Sequence, residues 1–567
     1  MAKKNLHLWL KNLIMMKKLL LLLFVLTCFT SFSQTTYIFN GDGNWTDTAQ
    51  WENGIYPGTT IQANAIVEIT GKLTIPQGTI VTNNGTIESY NTSTQTPEIT
   101  ILGSLVNNKN ILFGRTTILV GADGAIIMNG SSTLDLNYNS ILTNTGSFVV
   151  FSGTVSISNS VSSFINDGVF SNSGSVLINA GIFRNKSDET STKTITINND
   201  GRFEISNGEL INSGTFRNEA GSVLLNNRKL TITTTGNLQN KGQLTISGSS
   251  SSIINSGSLN NSKNINVEDY GTFNMTTNSV FTNQNTASVF VDTNSEVINK
   301  ATDFNIRYGI FQNNGTINSD STIFIGGAGN LENNGTLNSN FGSVVSNYGT
   351  LSGSNIASIG SFTNNGKLSP GNLNDPTGTY KMDGFFTSYT QTSTGSLNID
   401  LGGTLAGNNY DQLVINRDVF LNGSLNVTLV GGFEPVIGDV FTLISQGRNV
   451  SGSFSIVNLP TLSGNKIWDV VEYSSTNGVR ISVIEKPSLN TPDVSPLTFQ
   501  LYPNPVSDKI FISGISENSA GNIYDSTGRK VSDVVLNQET SSVDVSKLAS
   551  GIYFFKIQGE SFKFLKK

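Results

Sequence analysis

The chain alternates short apolar segments with Gly and Asn punctuation, and one phrase keeps returning. It is Asn, any residue, Gly, usually a small residue, then one large apolar residue. It reads NNGTI at Asn83–Ile87, NTGSF at Asn144–Phe148, NSGTF at Asn212–Phe216 and NSGSL at Asn255–Leu259. It returns as NNGTI at Asn313–Ile317, NNGTL at Asn333–Leu337 and NNGKL at Asn364–Leu368, with variants such as NDGVF from Asn166 and NKGQL from Asn240. Its glycines recur at regular intervals, as from Gly146 to Gly168, from Gly236 to Gly257 and from Gly315 to Gly335. Further turns at Gly168, Gly174 and Gly181 divide that interval into three. A regular period of this length made of three short units predicts one coil with three faces, each a short strand. Gly, or Asn in a left-handed conformation, is expected at the corners because both tolerate positive φ. Stacked corners would place Asn over Asn, so that their amides form a ladder. The apolar residue after Gly would point inward. Asn-Gly is also the strongest short hairpin signal, but the units between turns are too short and uniform for a sandwich. The fold class expected is all-β: a right-handed parallel β-helix (solenoid), then a β-rich cap and a small C-terminal β-sandwich.

Composition narrows the chemistry. Of 567 residues only 13% are charged, too few for a helical bundle or a typical disordered chain. The single Cys (Cys28) and single His (His7) lie in the first 34 residues. Lys17 and Lys18 precede the apolar run Leu19–Leu26, and small Ser31 and Ser33 come before Gln34. That is the layout of a secretory signal with cleavage near Ser33 and Gln34, and the run is too short to span a bilayer. A mature chain without residues 1–34 would hold neither Cys nor His. It could form no disulfide, use no thiol or His-assisted Ser nucleophile, and bind no zinc through such ligands. Five of the 34 Lys and Arg leave with that segment and none of the 40 Asp and Glu, so the mature chain is more acidic than the whole. This balance argues against nucleic acid as a partner.

The expected organisation is a signal peptide at 1–34, an N-terminal cap at 35–59, repeats at 60–376, a β-rich C-terminal cap at 377–485, a linker at 486–497 and a last module at 498–567. In the N-terminal cap, Trp45 and Trp51 sit among turn formers. Bulky aromatics there would cover the open end of a solenoid; a sugar-stacking platform is the alternative. This stretch resembles the G-x-W-x-x-x-x-x-W-x-x-G-x-x-P opening of many bacterial surface β-helices. SPGN at Ser369–Asn372, the L-x-I-x-L-G-G run at Leu397–Gly403, YDQL at Tyr410–Leu413 and F-x-P-x-x-G-D-x-F at Phe433–Phe441 resemble the end of autotransporter-type passenger domains. That resemblance implies a cap that stabilises the helix.

The last module opens with FQLYPNPVSDKIFI (Phe499–Ile512). It continues with IYDSTGRKV (Ile523–Val531), VDVSKLASGIYFFKI (Val543–Ile557) and FKFLKK (Phe562–Lys567). By itself it reads as a small sandwich of alternating strands. It closely resembles the type A C-terminal sorting domain of the type IX secretion system of Bacteroidetes. The resemblance rests on Tyr502, Pro503, Asn504 and Pro505, on Gly528 and Arg529, and on Gly551, Tyr553 and Lys556. It implies recognition by the outer-membrane translocon and sortase. It also implies removal of the module, with release or covalent attachment to a surface lipopolysaccharide.

A catalytic reading would have to rest on carboxylates, Lys, Arg or Tyr. The acids Asp123, Asp135, Asp167, Asp200, Asp292, Asp303 and Asp320 are single and scattered. Asp303 and Asp320 come closest to one coil apart and still miss it. Glu98, Glu204 and Glu209 form no better cluster, and Gly326–Gly329 lacks the carboxylate of a calcium-binding repeat. Arg184 and Arg202 are expected to fall near one another, one coil apart. No catalytic, cofactor or metal residue is assigned. The expected function is a structural or adhesive role for a secreted protein, released or held on the extracellular face of the outer membrane, with a glycan or cell-surface ligand. The alternative is a polysaccharide lyase or glycoside hydrolase on a β-helix scaffold.

Overall fold

The computed structural model describes residues 14–18, 34–90, 96–186, 196–339, 342–354, 356–358, 360–371, 377–382, 388–446, 448–487, 499–515, 518–537 and 541–567. The expected signal peptide with Cys28 and Ser33, the linker, and Asn372 of SPGN lie largely or wholly outside the described residues. Gln34 is described and immediately precedes the first strand. The chain forms two compact units, Met1–Glu485 and Lys486–Lys567.

The first unit is a parallel β-solenoid with three faces. The first face begins with Thr35–Phe39, Ala65–Ile69, Thr86–Ser89, Asn110–Gly114 and Thr133–Asn137, each paired in parallel with the next. The second begins with Thr60–Ile61, Ile80–Asn83, Ser104–Asn107 and Ala125–Met128. The third begins with Asp42–Asn44, Lys72–Ile75, Glu98–Ile101 and Thr117–Val120. Within almost every four-residue strand the second and fourth side chains are buried, as in Ser147–Val150 and Ser163–Asn166. The inward second position is the apolar residue of the repeated phrase: Ile87, Phe148, Phe216, Leu259, Ile317, Leu337 and Leu368 are all buried. Phenylalanines stack from coil to coil, Phe148 on Phe170 at 5.4 Å and Phe164 on Phe183 at 4.6 Å. Non-directional burial of this kind supplies the main driving force.

The fourth position carries the asparagines, and they form ladders. On the second face Asn172 Nδ2 donates to Asn199 Oδ1 at 2.7 Å, and the chain of bonds continues through Asn218, Asn240 and Asn261 to Asn283. On the third face it runs Asn144, Asn166, Asn185, Asn212. The second amide hydrogen commonly goes to a backbone carbonyl just past the next corner, as from Asn218 to Gln243 O at 3.0 Å. All donation in these two ladders runs toward the C-terminus. The first members of four ladders, Asn144, Asn172, Asn313 and Asn347, accordingly have a buried Oδ1 without a donor.

The glycines of the phrase correct one expectation. They do not have positive φ; among the described residues positive φ falls at other glycines such as Gly78 and at a few residues such as Asn139. The requirement is closeness. A Cβ on Gly168 would sit 2.3 Å from the carbonyl oxygen of Gly146, and one on Gly335 would sit 2.1 Å from that of Gly315. Gly329, in the GGAG stretch, approaches Ile306 O in the same way, inside the strand Ile323–Asn333.

The coils also extend beyond the expected limits of 60 and 376. Thr35–Phe39 and Asp42–Asn44 already belong to the first coil. Parallel pairing continues through Ser396–Leu401 and Ser424–Leu429 to Ile456–Asn458. The antiparallel closure is confined to the end: Gly478–Glu485 pairs with Val440–Gln446, Lys466–Trp468 and Glu472–Ser474. At the other end Trp45 and Trp51 are buried, edge to face at 5.1 Å, and Trp51 Nε1 donates to Trp45 O at 3.0 Å. They plug the solenoid and offer no exposed ring for a sugar.

The second unit has a three-stranded sheet of Gln500–Tyr502, Lys509–Ser513 and Ser542–Asp544. It packs with a four-stranded sheet of Ser519–Asp525, Lys530–Leu536, Gly551–Ile557 and Glu560–Lys566. All pairings between these strands are antiparallel, and one apolar core including Ile510, Ile523, Phe555 and Phe564 lies within the unit.

Candidate functional site

The motif residues of the C-terminal unit gather mostly at one end of its four-stranded sheet. Register places Asp525 beside Tyr553 and Gly551 beside Lys566, while Val506 bridges to Lys566. The Asn504 side chain acts as a strand partner: Nδ2 donates to Lys563 O and Oδ1 accepts from Leu565 N, both at 2.9 Å. Val506 N continues the pairing to Leu565 O at 2.8 Å. Pro503 and Pro505, both after cis peptide bonds, flank this asparagine. The Tyr-Pro-Asn-Pro turn thereby covers the outer edge of the last strand, an edge that would otherwise template aggregation. Tyr502 stays exposed, stacked on Phe511 at 5.9 Å.

The Asp525–Arg529 turn is held by one carboxylate. Asp525 Oδ1 accepts from the Thr527 hydroxyl at 2.6 Å and from the Thr527 and Arg529 amides at 3.0 and 3.1 Å, and Oδ2 accepts from Arg529 Nε at 3.0 Å. These bonds, the Thr527 hydroxyl foremost, pull the Asp525 pKa down to about 2. Gly528 has φ +84, a conformation other residues adopt only with strain. Tyr553 donates its hydroxyl to Ala549 O at 3.0 Å and stacks on Phe564 at 5.6 Å. Lys556 lies further along the same strand and is exposed. A Cβ on Gly551 would meet only the Tyr553 ring at 3.8 Å, so packing does not explain that glycine.

On the solenoid the scattered acids stay scattered. Asp303 starts a second-face strand, whereas Asp320 follows a third-face strand and pairs with Lys300 at 3.6 Å. Arg184 and Arg202, expected neighbours, lie on the third and first faces respectively. Ion pairs join adjacent coils, Lys229 to Glu209 at 2.9 Å and Lys241 to Glu219 at 3.0 Å. Among the described residues no group of three acids, Cys or His is placed to hold a metal.

Two arrangements escape a reading of the sequence. Glu68 and Glu88 are register partners on adjoining first-face strands, followed by Leu112 and Asp135 in the same outward column. Beside this column Tyr90 and Tyr138 are exposed on either side of Gly114. The signal is present in the chain, since Tyr90 and Tyr138 stand at equal distances before and after Gly114. That distance is slightly longer than the interval between the glycines of the phrase, which hides it.

Comparison with known proteins bears on both units. Residues 500–567 match the family "Secretion system C-terminal sorting domain". A stretch of 174 residues is 24% identical to Beta-agarase A of Zobellia galactanivorans, covering 28% of this chain and 31% of the agarase. The chain thus spans under a third of that relative. The C-terminal unit is a sorting domain, which marks the chain for export by the type IX secretion machinery to the cell surface or the medium.

Proposed function

We propose that the exported chain is a structural and adhesive solenoid. It is held on the extracellular face of the outer membrane or released from it, and contacts glycans or other cells. The observation that carries this reading is the outward surface, where amides and hydroxyls repeat from coil to coil. Asn458 donates to Asn426 Oδ1 at 2.7 Å and Asn426 to Asn398 Oδ1 at 2.8 Å. Gln239, Lys241, Asn260, Ser262 and Gln284 line a polar hollow of about 290 Å³. Repeated weak sites on a stiff scaffold gain avidity from multivalency. Removal of the sorting domain with covalent transfer to a lipopolysaccharide is the anchoring route this reading carries. Mass spectrometry of the mature C-terminus tests the route. For adhesion, a deletion strain is compared with its parent for attachment and biofilm; equal attachment on every surface refutes the adhesive role.

A second reading has its own support. The similarity to Beta-agarase A and the Glu68–Glu88 pair fit a polysaccharide-active enzyme. Adjacent parallel strands lie about 4.8 Å apart, near the roughly 5–5.5 Å carboxyl separation of retaining glycosidases. Release of reducing ends from agarose, pectin or alginate, abolished by Glu68→Gln or Glu88→Gln, would replace the adhesive reading with this one.

A further inference from the structure

We propose that the export machinery reads this chain on the outer face of the four-stranded sheet of its C-terminal unit, and that the surface it brings there is acidic. The sorting-domain match gives the unit such a partner and leaves the contact face open. Most of the motif residues are occupied in holding the fold. Asn504 is bonded to the last strand, Asp525 accepts bonds within its own turn, and Tyr553 packs in the core. Lys556 differs, because its side chain is exposed on the outer face of the sheet.

Strand register builds this face. Lys530 pairs with Tyr524, Tyr524 with Phe554 and Phe554 with Lys563, so two aromatic residues lie side by side with a lysine at each end. The row spans about 14 Å, three strand spacings. The next row on one side carries Asp533, Asn522, Lys556 and Ser561, and on the other side Ile552 stands opposite Leu565. Ile552, Phe554 and Leu565 are between 37% and 42% exposed, while Tyr553, Phe555 and Phe564 between them are buried in the core. An apolar patch rimmed by charge marks an interaction surface, and central aromatics are its usual anchors. Charge identifies the partner. The outward positions of the sheet hold Lys530, Lys556 and Lys563 against one carboxylate, Asp533, which pairs with Lys530 at 2.7 Å. The chain as a whole has more acids than bases. Such a face attracts an acidic protein surface and repels the same face of a second copy. Its lysines are fewer than the roughly four to eight basic residues of a lipid-binding patch, which favours a protein over a membrane. The chain enters the unit through Gln500–Tyr502, a strand of the other sheet.

The test is export of the full chain by the strain that makes it, read by immunoblotting of periplasm, cell surface and medium. Phe554→Ser, and Lys556→Glu combined with Lys563→Glu, should each cut the exported fraction at least tenfold, with the chain accumulating in the periplasm. Phe554→Tyr and Lys556→Arg keep the ring and the charge and should be exported normally. So should Lys509→Glu, which places an acid on the other sheet. The purified variants should melt at the parent's temperature; should Phe554→Ser fail to fold, the exposed lysine pair decides. Normal export of the doubly reversed chain overturns the proposal, and so does a loss of export that Lys509→Glu shares. Vesicles of phosphatidylglycerol or lipopolysaccharide that bind the parent but not the doubly reversed chain, with export unchanged, would replace the machinery by a lipid surface. A dimer in sedimentation that Phe554→Ser dissociates, with export unchanged, would replace it by a second copy. Attachment and biofilm assays test the adhesive reading separately, because the export readout does not depend on what the solenoid binds.

Discussion

The one-way ladders make an unusual prediction: a buried valine should tolerate asparagine at one position and not at another. Val150 is fully buried and lies between Met128 and Asn172 in the register of the second face. Asn172 heads its ladder, with Oδ1 lacking a donor. Val155 is equally buried but lies between Leu134 and Val176 on the first face. At either site asparagine forfeits the burial of a valine, about 1.5–3 kcal/mol. At Val155 it also buries an amide with no partner, for about 1–3 kcal/mol more. Val155→Asn should therefore cost about 3–5 kcal/mol. At Val150 the new Nδ2 can donate to Asn172 Oδ1, and its second hydrogen to the carbonyl of Ser175, by analogy with the bond from Asn172 to Arg202 O. Each such bond contributes about 0.5–1.5 kcal/mol net. The unpaired oxygen moves one coil back without becoming an additional one. Val150→Asn should then cost about 1–2 kcal/mol, well below the control. Urea unfolding followed by circular dichroism gives the difference. Hydrogen exchange of the adjoining coils localises it, because solenoid stability is set by nearest neighbours. Equal losses for the two variants would show that the ladders carry no directional energy.

The phrase glycine can be tested with Gly335→Ala, whose Cβ would stand 2.1 Å from Gly315 O. Overpacking of this kind should cost about 1–3 kcal/mol or more in urea melts, while Gly78→Asn, at φ +78 with open space around it, should cost under about 1 kcal/mol. Trp51→Ala should remove about 3–5 kcal/mol, with exchange protection lost first in strands 35–39 and 65–69. In the C-terminal unit, the Asp525 pKa is held near 2, below its ordinary 3.8. A depressed folded pKa means the turn's stabilisation is present above about pH 4 and lost as pH falls through about 2. Hydrogen exchange of the 523–531 peptide, corrected for intrinsic rate, should show protection falling over that window, and Asp525→Asn should remove the dependence.

Much of the solenoid is legible because the residues that build it repeat. The large residue of Asn144–Phe148 or Asn212–Phe216 announces its own burial, and the asparagine before it announces a stacked amide. Trp45 and Trp51, bulky and isolated among turn formers, read correctly as a plug. The reason for the glycine is not legible. A sequence shows that a residue lacks a Cβ, but the carbonyl that excludes one belongs to a residue a whole coil away, as Gly315 does for Gly335. The end of the solenoid is hard to place for a related cause. The longer alternation of Leu397, Ile399 and Leu401 suits an antiparallel cap as well as a longer rung, and only its register with Leu425 and Val427 decides. Tyr90, Gly114 and Tyr138 likewise come from three different coils and share no local motif.

The ladders also explain where on the solenoid the backbone can vary. The sequence separation of bonded asparagines is smallest between Asn347 and Asn364, larger between Asn144 and Asn166, and larger again between Asn172 and Asn199. Corners on the second and third faces therefore stay aligned whatever length of loop is inserted between them. The corner after the first face is different. Its strands end mostly on apolar residues or on Ser89, and a bonded asparagine pair occurs there at Asn313 and Asn333. With little amide ladder to preserve, the backbone at this corner varies. Most of the described non-glycine residues with positive φ on the solenoid fall here: Arg115, Tyr138, Asn139, Asp269 and Tyr270. Tyr90, Gly114 and Tyr138 occupy the same corner. The two laddered corners keep the coils in register, which leaves the third able to carry aromatic and charged side chains without loss of alignment.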